Sequence, residues 1–150
     1  MKVYRISAIT LKVRNMEKSC SLYTKIPGFR LTYGGKPSDH FTTFEIGKGS
    51  KATTYLNLEL IEEENDSASD FYKKSNLGKM KVNEDFGRII FHTENVDELY
   101  SYMKRDAHIS KLVVFENEPT NAPWGERFFH ICELNGYELS FAQPLSHLDQ

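Results

Sequence analysis

Imidazole, thiol and carboxylate groups do most of the chemistry a protein can perform unaided, and here the first two are few: 5 His and 2 Cys. His92 and His130 stand in strand-like segments. With Glu138 they offer two imidazoles and a carboxylate, a set that suits Zn or Ni, and their separations along the chain do not forbid such an unconventional site. The plainer reading is that a strand histidine is simply hydrogen-bonded in place. His40, His108 and His147 fall in predicted loops or the tail and are read as solvated. Cys20 and Cys132 belong to no Cys-x-x-Cys pair, so both are read as reduced and mostly buried. A nucleophilic cysteine needs a neighbouring base, which spacing does not supply. Glu62-Glu63-Glu64 followed by Asn65-Asp66 lacks the alternating spacing of a calcium loop and reads as a solvated strand end. Tyr23, Tyr100 and Tyr102 lie on predicted helices and are read as packing residues rather than acids.

Composition restricts what such residues serve. The chain has 150 residues, enough to bury a substantial core, and 13% of them are aromatic. Its 19 Lys+Arg against 21 Asp+Glu leave a net charge of −2, which gives no electrostatic reason for a nucleic acid or an anionic membrane as partner. No apolar run approaches the roughly 20 residues that span a bilayer. Met1 to Arg14 alternates polar and apolar residues without a signal-peptide core, so a cytoplasmic location is expected.

The elements that must position these groups occur twice. Ala8 to Lys25 aligns without a gap on Arg88 to Arg105, an offset of 80 residues (8 to 88). Ile9 meets Ile89, Asn15 meets Asn95 and Ser21 meets Ser101, and Leu11/Phe91, Met16/Val96 and Glu17/Asp97 preserve character. Each copy opens on a strand of alternating pattern, with Ile9, Leu11 and Val13 in the first. Asn15 and Asn95 stand at the N-cap positions of the helices that follow, with Glu17 and Asp97 in the first turns. Met16, Cys20 and Tyr23 form one apolar helix face, and Val96, Leu99 and Met103 the other; Pro27-Gly28 stops the first helix. Strands are predicted over 29–33, 41–46 and 55–61 in the first half, and over 111–116, 127–133 and 137–142 in the second. Asn135-Gly136 predicts a tight type I′ hairpin turn. The fold class is therefore α+β, with two β-α-β-β-β modules over 5–65 and 83–145 joined by a polar helical connector over 66–82.

Ser21-Leu22-Tyr23 followed by Pro27-Gly28-Phe29, the run Pro123-Trp124-Gly125-Glu126-Arg127-Phe128-Phe129, and Asn135-Gly136-Tyr137 complete a pattern. The chain resembles the vicinal oxygen chelate superfamily over roughly residues 5–145. This group includes glyoxalase I, extradiol dioxygenases, fosfomycin resistance enzymes and bleomycin-binding proteins. The resemblance implies curved mixed sheets that form cups, facing each other within one chain or across a dimer, and a homodimer is expected. It also implies metal ligands from the first and last strand of each module. Those positions map to Ala8, Glu59, Arg88 and Ser140, where glyoxalase-like members carry His or Gln and Glu. One carboxylate of the four is kept. Alanine has no lone pair to give, serine is a poor neutral ligand and a guanidinium repels a metal, so no metal or other cofactor is expected.

Strand parity gives a separate list of residues facing away from the helices, into the cup. From the first module these are Thr10, Lys12, Tyr55, Asn57 and Glu59. From the second they are Arg88, Ile90, His92, Glu138 and Ser140, with Trp124 and Phe128 adding aromatic surface. Such a mixed lining suits a small organic molecule. Arg88 and Glu59 fall where metal ligands otherwise converge. They are expected to contact each other, either as a structural ion pair or with Arg88 anchoring a ligand's carboxylate, phosphate or enolate oxygen. The favoured function is a metal-free protein that binds or sequesters a small aromatic or cationic compound. The alternatives are a lactoylglutathione lyase-like (glyoxalase I-like) metal-dependent lyase or isomerase, with Zn or Ni and Glu59 as the base, and a metal-independent enzyme in which Arg88 stabilises an anion. A scaffold with a decayed cavity is the remaining reading. The ligand's identity lies beyond the sequence.

Overall fold

The computed structural model describes residues 1–3, 5–47, 53–61 and 86–146. The helical connector over 66–82, the acidic run at 62–64 and His147 lie outside them. The chain divides into two compact units, Met1–Gly78 and Lys79–Gln150.

In the first unit, β1 (Ala8–Val13) leads into α1 (Met16–Lys25), followed by β2 (Phe29–Tyr33), β3 (Phe41–Ile46) and β4 (Thr54–Leu60). The sheet order is β1-β4-β3-β2; β1 and β4 run parallel and the other neighbours antiparallel. The alternation predicted from sequence is realised. Leu11, Val13, Phe44, Leu56 and Leu58 are buried, as are Met16, Cys20, Leu22 and Tyr23 of α1. Tyr23 stacks on Phe29 with centroids 6.1 Å apart. Burying each large apolar side chain stabilises the unit by roughly 1.5–3 kcal/mol.

The second unit repeats this plan with additions. After β5 (Arg88–His92) and α2 (Val96–Arg105) comes a short helix, α3 (Ala107–Leu112). Then follow β6 (Val113–Phe115), β7 (Thr120–Ala122), β8 (Glu126–Glu133) and β9 (Glu138–Pro144). The order β5-β9-β8-β6, with β5 and β9 parallel, matches the first sheet strand for strand, and β7 pairs with the start of β8. Two curved mixed sheets with one principal helix each are therefore the architecture.

Both asparagine caps form. Asn15 Oδ1 accepts from the Lys18 N–H at 2.9 Å, and Asn95 Oδ1 from that of Glu98 at 3.0 Å. Each cap satisfies an N–H that has no partner within its helix, so Asn15→Ala and Asn95→Ala should each cost ~1 kcal/mol in urea unfolding. Near-equal losses are the expected sign that the repeat is energetic as well as visual.

Three expectations need correction. Lys111 and Leu112 end α3 rather than begin a strand, because Asp106 Oδ1 accepts from the N–H groups of both His108 and Ile109 and nucleates a helical turn. His108 therefore sits on a helix, not in a loop, although it remains exposed. The turn after β8 is also not a two-residue I′ turn. Gly136 N–H bonds the Glu133 carbonyl at 2.8 Å, and Glu133 N–H bonds the Tyr137 carbonyl at 3.0 Å. This is a three-residue loop, Leu134-Asn135-Gly136, whose Gly136 takes φ 88. The other end of β8 uses the same device. Pro123-Trp124-Gly125 joins it to β7, with Gly125 at φ 89 and its N–H on the Ala122 carbonyl. Strand β7 escaped sequence reading because Pro119 and Pro123 flank a run of only three residues.

Arg127 of β8 grips Asp97 in the first turn of α2 with two hydrogen bonds, of 2.7 and 2.8 Å. The Arg127 guanidinium holds the Asp97 carboxyl below its usual range. A depressed folded-state pKa stabilises above the unfolded value and loses that contribution as pH falls through the folded one. The stability gap between wild type and Asp97→Asn is therefore expected to be steady near neutrality and to close as the pH drops below about 4. Thermal melts across pH check this. Because both groups are partly exposed, the gap should also shrink in high salt.

Candidate functional site

The residues picked by strand parity do gather on the open face of each sheet. In the first unit, Thr10, Asn57 and Thr43 form a polar rung. The Asn57 amide donates to Thr10 Oγ1 at 3.3 Å, and Thr43 Oγ1 donates to Asn57 Oδ1 at 2.9 Å. Lys12 pairs with Glu59 at 2.5 Å, one rung along. Tyr55 is partly exposed beside Glu45, which Arg30 holds at 2.6 Å. Glu59 is thus already engaged by an ammonium, and any role as a proton acceptor would have to displace Lys12.

In the second unit the same face carries three elements of interest. The first is a charged cluster. Arg88 Nη2 lies 3.0 Å from Glu116 Oε2 and 3.2 Å from Glu138 Oε2, while Nη1 donates to the Leu139 carbonyl at 3.2 Å and reaches Ser140 Oγ at 3.4 Å. Arg88 therefore finds its carboxylates inside its own unit, as Glu59 finds its cation in Lys12. Each of the two residues expected to pair thus has an oppositely charged partner within its own unit.

The second is a ladder of rings. Trp124 stacks on Phe128 with centroids 5.9 Å apart and an interplanar angle of 23°, and Phe128 lies 4.6 Å from the His130 ring. Trp124 is 69% exposed and Ile90, on the same face, 60%. The third is a clamp on that ladder. Glu126 accepts from Trp124 Nε1 at 3.1 Å and from His92 Nε2 at 2.9 Å. A carboxylate only accepts, so His92 carries its proton on Nε2.

His130 lies at the centre of the face. Its Nδ1 is 2.5 Å from Ser140 Oγ. Burial pushes its pKa below the usual histidine value, and the Arg88 charge adds to that, against the opposing pull of Glu116 and Glu138. It is therefore a neutral imidazole at pH 7. Cys132, in the same row as Glu138, has its thiol pushed up by burial and then by the surrounding carboxylates, so it stays a thiol. Cys20 is buried in the first unit, and burial pushes its thiol up as well; both cysteines are free.

The register of the parallel ladders changes the equivalence between modules. Ala8 faces Tyr55, whereas Arg88 faces Glu138. The last strands therefore correspond with an offset of 83 residues (55 to 138), not the 81 that links Glu59 to Ser140. Asn57 is the counterpart of Ser140, and Ala142 that of Glu59. Glu59 stands opposite Lys12, four residues along from Ala8, or about 13 Å away at strand spacing. Ala8 and Glu59 are not neighbours, whereas Arg88 and Ser140 do touch. Whichever row is taken, the two parallel strands of a module supply at most one carboxylate or imidazole. Among the described residues no group of three or more His, Cys, Asp and Glu is disposed to hold a metal ion. Within either unit, the paired rows of the two parallel strands fall short of the three or so such ligands that a Zn or Ni centre takes.

Glu116 and Glu126 were missed from sequence, and Phe128 and His130 were underweighted. The signal was available. Parity along the first and last strands of each module does not reach these four residues, which lie just after the edge strand β6 or on β8.

Two modules of identical strand order, each with one face under a helix and the other bearing mixed aromatic and charged groups, define a paired β-α-β-β-β protein. The chain belongs to the Glyoxalase/Bleomycin resistance protein/Dioxygenase superfamily, whose profile matches residues 5–141. Several solved structures share its fold. One is a glyoxalase/bleomycin resistance protein/dioxygenase from Nocardioides, with 18% identity, 98% of this chain and 87% of that chain covered, and a TM-score of 0.61. Another is a member of the superfamily from Sphaerobacter thermophilus DSM 20745, with 19% identity, 94% and 98% covered, and a TM-score of 0.60. A third is TnmS3, an antibiotic binding protein from Streptomyces sp. CB03234, with 19% identity, 96% and 98% covered, and a TM-score of 0.59. No curated protein matches the chain. Among the described residues no helix is long and apolar enough to cross a membrane.

Proposed function

We propose that the chain binds a planar small organic molecule, neutral or cationic, on the open face of its second sheet, without a metal. The observation that carries this reading is the Trp124–Phe128–His130 ring ladder, exposed at its Trp124 end and clamped by Glu126. Stacked aromatic surface of this kind accepts flat π-systems. The charge around it favours cations. Glu116, Glu126 and Glu138 outnumber Arg88, whose guanidinium is already bracketed by two of them. An arginine neutralised in this way has little left to offer an anion, so the anion-anchor role and an enzyme that stabilises an enolate on Arg88 are less well supported than binding. The fold shared with an antibiotic binding protein agrees with the same reading. The family resemblance supports a homodimer, which light scattering in solution decides.

The experiment compares two flat probes by quenching of the single tryptophan: proflavine, a planar cation, and pyrene-1-sulfonate, a planar anion. Proflavine is expected to bind at least about tenfold more tightly, the preference a few near-surface charges produce. Tighter binding of the sulfonate would return Arg88 to the anchoring role.

A further inference from the structure

The buried hydrogen bonding behind the ring ladder determines which proton His130 presents. Ser140 is 1% exposed, so its hydroxyl proton must go to an acceptor within the protein. Its two partners are Arg88, which can only donate, and His130 Nδ1. The hydroxyl therefore donates to Nδ1, and the neutral imidazole carries its own proton on Nε2. Among the described residues Nε2 has no hydrogen-bond partner, yet no buried side-chain nitrogen or oxygen is left unsatisfied. Nε2 must then reach solvent. It does so from the open face, on the ring next to Phe128.

We propose that His130 is a specificity residue. Its Nε2–H is a fixed donor, oriented by the relay Arg88–Ser140–Nδ1, and it selects planar molecules that carry a carbonyl or another neutral acceptor near one edge. The proposal rests on the binding reading above and adds the chemical class of ligand. Ser140 and Arg88 act as positioning residues, since they act on the ligand only through the imidazole. Glu116 and Glu138 hold Arg88 in that relay from the other side. The relay also explains why a guanidinium with two carboxylate partners still contacts a buried serine.

Two measurements test it. Nitrogen NMR of the chain labelled at histidine should show, for the resonance lost in His130→Phe, the pattern of an Nε2-protonated neutral ring at pH 7.5. Ser140→Ala should convert that pattern to a tautomer mixture. An Nδ1-protonated ring in the wild type overturns the proposal. The second measurement compares acridone, which has a carbonyl, with proflavine, a cation of the same tricyclic frame that offers only donors. His130→Phe keeps an aromatic ring but loses the donor, and should lower the ratio of acridone to proflavine affinity about five- to tenfold. His130→Gln, whose amide nitrogen reaches about as far as Nε2, should retain acridone, and it serves if the phenylalanine variant does not fold. An unchanged ratio overturns this proposal and leaves the binding site standing. A wild-type chain that binds neither dye overturns the binding reading and this proposal with it.

Discussion

Substituting Trp124 with alanine is expected to weaken proflavine binding by about thirtyfold, ~2 kcal/mol, while leaving the unfolding midpoint within experimental scatter. The size follows from what is removed: one face of an aromatic stack and the strongest ring for a cation–π contact. The neutrality for stability follows from exposure. Trp124 is 69% exposed, and its contacts are with Phe128 and Glu126 on the surface of the sheet. A core tryptophan would show the opposite, with stability falling and binding falling only through unfolding. Because the chain has 1 Trp, this variant must be followed by calorimetry or by the dye's own signal. Phe128→Ala should act in the same direction and less strongly, since Phe128 lies inside the ladder and is partly buried. A Trp124→Ala variant that binds proflavine as well as wild type would move the site elsewhere.

Glu133→Ala is expected to be the most damaging single change to stability, costing on the order of 3 kcal/mol, or roughly 10 °C in melting temperature for a chain of this size. Glu133 is 3% exposed. Its carboxylate folds back over the turn that follows β8, where Oε1 accepts from the N–H groups of Asn135 and Tyr137 at 2.6 and 3.2 Å, and Oε2 from the Asn135 amide at 2.9 Å. Asn135 and Tyr137 are themselves buried, so alanine would take the acceptor from three donors that water reaches poorly. Glu133→Gln keeps the volume and one acceptor oxygen, and should cost about a third as much. Equal losses for the two variants would show that side-chain volume rather than hydrogen bonding is what matters there. The change bears on function because this turn sets the register between β8 and β9, and that register brings His130 opposite Ser140.

Much of this was legible in residue order. The period-2 pattern of β1 and β4 gave their buried faces, because burial on one side of a sheet leaves a direct trace in the sequence. Asn15 and Asn95 gave the helix starts, because a cap is a local interaction with a local signature. Less was legible where distant residues meet. Parity put Arg88 and Ser140 on one face, but Glu116 lies beyond a three-residue strand, and only the β6–β8 pairing carries it to Arg88. The two-residue difference in register between the modules could not be read either. Glu59 and Ser140 each fit a last-strand motif, and an even slip along a strand preserves the face while changing the neighbour. The hairpin loop was misread for a related reason: Asn-Gly suits both a two-residue turn and the end of a three-residue one, and the buried carboxylate of Glu133 belongs with the longer form.

The central claim is that this member of the superfamily binds a flat organic molecule without a metal. Isothermal titration of the EDTA-treated chain with proflavine tests it most directly. One saturable site is predicted on the described face, lost in Trp124→Ala and unchanged when Zn or Ni is added back. Binding that appears only after metal is restored would contradict the account.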